Sequence, residues 1–178
     1  MIIQGIRSNK FLPRAIQFWM FIYFIRVNAW RFVTFQPLLP RLRVPNHFSV
    51  INNLDEYEAV TEGVVKGEYN ITGHQYVKHW EVPNTIDIGF LLDKTVHKGY
   101  EYINFLTNMI YALTGIWVGD FVNRWYCVEL VNFALIENGD TNVKKRWNPY
   151  QTAYYLDNKY GGTVVKDNEK LTIKKTNL

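Results

Sequence analysis

The chain has 178 residues, and those that could do covalent chemistry are a single cysteine, four histidines and sixteen carboxylates. Cys127 stands in Arg124-Trp-Tyr-Cys-Val-Glu-Leu-Val-Asn-Phe-Ala134, at the predicted start of a helix that runs to about Glu137 and is stopped by Asn138-Gly139. The dipole and the unpaired N–H groups of a helix start favour a thiolate and offer one donor to an oxyanion. The plainer alternative is that a lone cysteine beside Trp125 and Tyr126 is a small buried hydrophobe. A single cysteine also excludes an internal disulfide framework and every multi-cysteine zinc site.

A thiol nucleophile needs a base, and a base needs a group that orients it. His47 opens the strand-like stretch His47 to Ile51, and Leu54 to Val60 forms a second one. Between them Asn52-Asn53 predicts a two-residue hairpin turn, since Asn tolerates positive φ. Pairing Ile51 with Leu54 sets His47 opposite Glu58 and Phe48 opposite Tyr57. His47 and Glu58 then share one face, with Phe48, Val50, Tyr57 and Ala59 on the other. An acid beside an imidazole fixes its tautomer and stabilises its cation. Without that pairing, Glu58 reads equally well as a solvated strand acid. His74 and His79 are five apart, so on one strand they point to opposite faces and cannot grip one metal. No glycine-rich phosphate loop precedes a helix, so neither a metal nor a cofactor is expected.

The elements that must position these residues follow from patterning. Met1 to Ile6 predicts a strand, Arg7-Ser8-Asn9 a helix cap, and a helix runs from about Phe11 into the twenties. Pro37, Pro40 and Pro45 interrupt residues 28–46, which read as an aromatic, Arg-rich connection or insertion. Further strands are expected at Gly63 to Lys66, Gln75 to Val82 and Gly162 to about Ile173. Apolar residues recur at helical spacing from Tyr100 to Leu113. The length suits one domain over residues 1–178.

With 48% hydrophobic and 20% charged residues, the chain can bury a core, which excludes global disorder. The net charge of +4 hides an asymmetry: residues 1–50 carry seven bases and no acid. An anionic membrane surface or an acidic protein partner could meet that segment. A nucleic-acid surface is not favoured, because no helix-turn-helix, zinc-finger or aromatic RNP-type pattern accompanies the charge. The apolar run Phe18 to Ile25 lacks a small-residue cleavage site, and Arg14, Gln17 and Arg26 bound it to about half of the roughly 20 residues that span a bilayer. It reads as a buried or surface-docking helix, and the expected location is cytoplasmic or virion-associated.

The order of these motifs resembles the circularly permuted papain-like cysteine hydrolases, the YiiX and YaeF group related to NlpC-type peptidases and lecithin retinol acyltransferase-like enzymes. The resemblance spans Ile2 to about Leu156 and rests on Ile6 to Ile16, Asn46-His-Phe-Ser-Val-Ile51, Tyr57-Glu-Ala59, Gly99-Tyr-Glu-Tyr102, Tyr126-Cys-Val-Glu-Leu-Val131 and Asn148-Pro149. The Cys block is the most specific of these. The resemblance implies an α+β fold of the permuted papain-like (NlpC-type) kind, an antiparallel sheet or half-barrel packed on helices. It implies Cys127 as nucleophile, His47 as base and a polar third member on the strand of Glu58. Val128 departs from the Ser usual after the nucleophile, and residues 28–46 lengthen the approach to His47.

The implied activity is a thiol hydrolase or acyltransferase acting on an amide or ester bond of a cell-wall peptide, a lipid or an acyl amide. A reading from a different class is a non-catalytic structural or interaction protein, such as a virion component or membrane-docking module, that keeps the fold without turnover.

Overall fold

The computed structural model describes residues 1–7, 11–40, 42, 44–60, 62–69, 77–99, 106–107, 110–111, 113–116 and 126–165. The architecture is α+β. Strands β1 (Ile2–Ile6), β2 (His47–Asn52), β3 (Asp55–Val60), β4 (Gly63–Glu68), β5 (Val77–Glu81) and β6 (Thr163–Val165) form one antiparallel sheet in the order β4-β3-β2-β1-β5-β6. Helix α1 (Phe11–Val33) follows β1, the short α2 (Gly89–Asp93) follows β5, and α3 (Cys127–Glu137) and α4 (Pro149–Tyr160) precede β6.

The β2–β3 hairpin turns one residue later than its sequence predicts. Asn52 pairs with Asp55, and both Asn53 (φ 52°) and Leu54 (φ 78°) take the left-handed conformation that such a turn requires. The register therefore slips by two: Ser49, not His47, lies opposite Glu58, and Val50, not Phe48, lies opposite Tyr57. Side chains alternate with period two, so a two-residue slip leaves every residue on its expected face, where a one-residue slip would have inverted them all. Phe48, Val50, Tyr57 and Ala59 are indeed buried together in the main core.

The site depends on how tightly β1, which lies between β2 and β5, is covered by residues 44–46, the strap that leads into β2. A Cβ on Gly5 would come within 2.5 Å of Pro45 Cγ and 2.9 Å of Trp80 Cζ3. Only a glycine on β1 lets Pro45 and the Trp80 ring close over it. Phe48 stacks on Trp80 with ring centroids 6.1 Å apart, and the Asn46 amide donates to the Ile6 carbonyl (3.1 Å). These contacts deliver the chain to His47 in register.

Helix α3 packs over β2 and β3. Its residues Cys127 to Asn132, with Ala134 and Leu135, are all buried, so it is a core helix with almost no wet face. Removing a fully buried side chain such as Leu130 by substitution with Ala would cost about 2–5 kcal/mol. Asn132 ties α3 to α4: its amide donates to the Lys145 and Trp147 carbonyls, and its oxygen accepts from Thr152 (2.8 Å). Asn148 and Gln151 form a reciprocal capping box with Pro149 in the first turn, which starts α4.

Two further differences from the sequence reading concern boundaries. Helix α1 continues to Val33, so residues 28–33 of the expected insertion are helical. The helix stops only where Phe35 turns left-handed (φ 55°) and the Gln36 amide donates back to the Arg31 carbonyl (2.8 Å), two residues before the first proline. Helix α2 was not expected. Of the predicted strand Gln75 to Val82, residues 77–81 form β5, and residues 75–76 lie outside the described residues, as do 166–173 of the expected last strand. Of the helical stretch Tyr100 to Leu113, the described residues 106–107, 110–111 and 113 are helical.

Leu54 holds a conformation that suits glycine and is half exposed, so its side chain does little to offset the strain. Leu54→Gly is expected to raise stability by roughly 0.5–1 kcal/mol, read as a higher urea midpoint at unchanged slope. A lower midpoint would show that the leucine is favourable at that turn.

Candidate active site

Two of the three residues singled out from the sequence begin an element, and the third lies within a strand. His47 is the first residue of β2, Glu58 lies in β3, and Cys127 is the first residue of α3. Continuing the observed register sets Glu58 diagonally across from His47, within reach of a long side chain. His47 Nε2 donates to Glu58 Oε2 at 2.8 Å. The Cys127 thiol lies close enough to the His47 side chain to raise its pKa as well. His47 and Glu58 are thus joined at hydrogen-bond distance, and Cys127, eighty residues after His47, acts on the same imidazole.

The environment is graded. The Cys127 residue is 1% exposed, while the side chains of His47 and Glu58 are 16% and 34% exposed. Burial alone would lower the pKa of His47, but hydrogen bonds to Cys127 and Glu58 and the charges of both outweigh it and push it up to about 10. With Nε2 given to Glu58, Nδ1 is the ring nitrogen left for the thiol. The Tyr126 backbone is extended (φ −110°, ψ 164°), and its side chain does not cap the first N–H groups of α3, which begin beside the sulfur. Val128 is fully buried in the core, so the residue after the thiol serves packing.

The sequence reading missed a polar row on the same face as His47 and Glu58. Gln4 of β1 lies between Ser49 of β2 and His79 of β5. Gln4 Nε2 donates to Glu56 Oε1 (2.6 Å) and Ser49 Oγ (3.2 Å), and Ser49 Oγ donates to the same Glu56 oxygen (2.6 Å). His79 Nε2 donates to Gln4 Oε1 (2.8 Å), with the Tyr69 hydroxyl 3.1 Å from that nitrogen. Gln4, Ser49 and His79 are buried, and burial lowers the His79 pKa to about 4, so it stays neutral. The one signal in the sequence was Gln4 itself, a long polar side chain at the centre of the apolar strand Ile2-Ile-Gln-Gly-Ile6. The two histidines are therefore held in opposite charge states. His74, Trp125 and Arg124 lie outside the described residues. Among the described residues no three His, Cys, Asp or Glu side chains gather as a metal site.

Compared with known proteins, the chain matches no family model, no curated protein and no solved structure.

The opposite shifts make a signed prediction for stability. His47 has a folded-state pKa above its unfolded value, so its contribution is complete below about pH 6.5 and is lost as pH rises through about 10. His79 has a depressed one, so its contribution is present above about 6.5 and is lost as pH falls through about 4. In urea midpoints measured across pH, His79→Gln should flatten the acid limb between 6.5 and 4, and Glu58→Gln the alkaline limb between 6.5 and 10. Profiles parallel to that of the unaltered protein would contradict the two assignments.

Proposed function

We propose that the chain is a thiol hydrolase or acyltransferase of the permuted papain-like kind, with Cys127 as nucleophile, His47 as general base and acid, and Glu58 as the group that orients His47. A single observation carries this reading: one partly buried imidazole holds a carboxylate at 2.8 Å while the buried thiol that opens α3 acts on the same ring. A structural cysteine gains nothing from such a partner, whereas a nucleophile requires it. The permuted fold is supported by the order of parts, in which the strands carrying His47 and Glu58 precede a buried helix that opens with Cys127 and packs on them.

In the proposed reaction the Cys127 thiolate attacks the carbonyl carbon of an amide or ester. The oxyanion that forms takes N–H donors from the first turn of α3. Collapse breaks the carbonyl–leaving-group bond, and the His47 imidazolium gives its proton to the departing nitrogen or oxygen, leaving a thioester on Cys127. Neutral His47 then takes a proton from water or from an acceptor alcohol or amine as that group attacks the thioester. The thiolate departs and His47 ends protonated, as it began. Glu58 keeps Nε2 protonated throughout, so Nδ1 alone handles the transferred proton.

The test is covalent labelling by a thiol-reactive acyl probe at neutral pH. Labelling is expected at Cys127 in the native protein, faster than in the urea-unfolded chain, and absent in Cys127→Ala. Glu58→Gln, which keeps a hydrogen-bonding group and loses the charge, should slow labelling by on the order of a hundredfold with the fold retained by circular dichroism. Native labelling no faster than that of the unfolded chain would favour a structural or interaction protein instead.

A further inference from the structure

Helix α1 has two apolar sides, and only one of them faces the protein. Ile16, Met20, Tyr23 and Val27 pack inward at helical spacing, joined by Tyr150 from α4. On the opposite side Phe18, Phe21, Ile25 and Phe32 form a second stripe, exposed at 56, 54, 49 and 74%. It is about 21 Å long. Past the end of the helix Phe35 and Leu38 are exposed too, Phe35 almost wholly. An apolar ridge of this extent exceeds the scattered exposed side chains of an ordinary surface.

Charge indicates what the ridge meets. Residues 1–50 contain seven bases and no acid, and none of Arg14, Arg26 and Arg31 is ion-paired among the described residues. Arg14 stands in line with the stripe at its N-terminal end. The Arg26 guanidinium lies over the Tyr23 and Tyr111 rings (5.8 and 5.7 Å), and the Arg31 Nε donates to the Pro37 carbonyl. A cavity of about 590 Å³ opens beside the ridge. Its walls include Phe21 and Ile25 of the stripe, Leu42 and Pro45 of the strap that leads into His47, and Tyr150. No helix among the described residues is long and apolar enough to cross a membrane.

We infer that the outer stripe of α1, with the residues that follow it, docks on an anionic lipid bilayer surface, the aromatic side chains entering the headgroup boundary and Arg14 meeting lipid phosphates. A convex aromatic ridge accompanied by cations alone suits a fluid anionic surface, which needs no complementary groove. Docked in this way, the mouth of the cavity beside the His47 strap lies against lipid. The inference does not depend on Cys127 being a nucleophile.

The test is co-sedimentation of the full chain with vesicles of phosphatidylcholine and of phosphatidylcholine mixed with phosphatidylglycerol. Binding is expected to the mixed vesicles at low salt, with little to pure phosphatidylcholine and strong weakening in molar salt. Arg14→Gln should weaken it about fivefold, and Phe21→Ser with Phe32→Ser should abolish it. An environment-sensitive dye on Phe21→Cys in a Cys127→Ala chain should shift to the blue on binding, and the same dye on the exposed Asn158→Cys should not. Equal sedimentation with both vesicle types, or none with either, would overturn the inference and point to a protein partner for the ridge. A blue shift at position 158 and not at 21 would overturn it too.

Discussion

A proton on a buried imidazole is expensive, because burial removes the water that would stabilise the cation. His47 keeps one only because two groups of opposite origin reach it, a carboxylate from the neighbouring strand and a thiol from a helix eighty residues later. At His79, whose partners are neutral, desolvation dominates and the ring is held uncharged. The rest of the architecture can be understood as what brings that second group within reach. Strands β2 and β3 supply the first partner locally, through a hairpin. The Cys127 contact is long-range and depends on α3 being sunk into the sheet by its buried side chains.

Close packing around β1 is the mechanical part of the same arrangement. Gly5 gives up its side chain so that Pro45 and Trp80 can cross the strand, and the strap that carries Pro45 runs straight into His47. Behind β2, the row Glu56–Ser49–Gln4–His79 links strands β3, β2, β1 and β5 by side-chain hydrogen bonds on the face that carries His47 and Glu58. A sheet tied in two ways, by backbone ladders and by a fully engaged polar row, holds a diagonal pair of long side chains at 2.8 Å better than ladders alone.

Much of this was legible in the residues, and the reasons are specific. The strands β1 to β4 and helix α3 announce themselves by alternation, caps and stops. The His47–Glu58 pairing survived an incorrect turn because the slip was two residues, so parity and hence the shared face were preserved. The turn itself was misjudged because Asn52-Asn53 is the more obvious pair for positive φ, while the chain places Leu54 there against its preference. Helix α1 ran further than expected because the nearest proline is Pro37, leaving Asn28 to Val33 free to continue the turn. The polar row was invisible because it joins β1 to β2, β3 and β5, and no local pattern reports which strands become neighbours. The meeting of Cys127 with His47 was inferred from family resemblance rather than from spacing, since contacts across eighty residues leave no local trace.

The state of one proton tests the central claim most directly. Ring nitrogen and carbon chemical shifts of His47, followed across pH by NMR in the unaltered protein, in Glu58→Gln and in Cys127→Ala, report how much each partner contributes to holding the cation. The account predicts that His47 stays protonated well past neutrality, towards pH 10, in the unaltered protein, and that each substitution brings its midpoint down towards the ordinary 6.5 or below. A midpoint near 6.5 that neither substitution moves would mean that Cys127 and Glu58 merely neighbour His47, and the account of this site would be wrong.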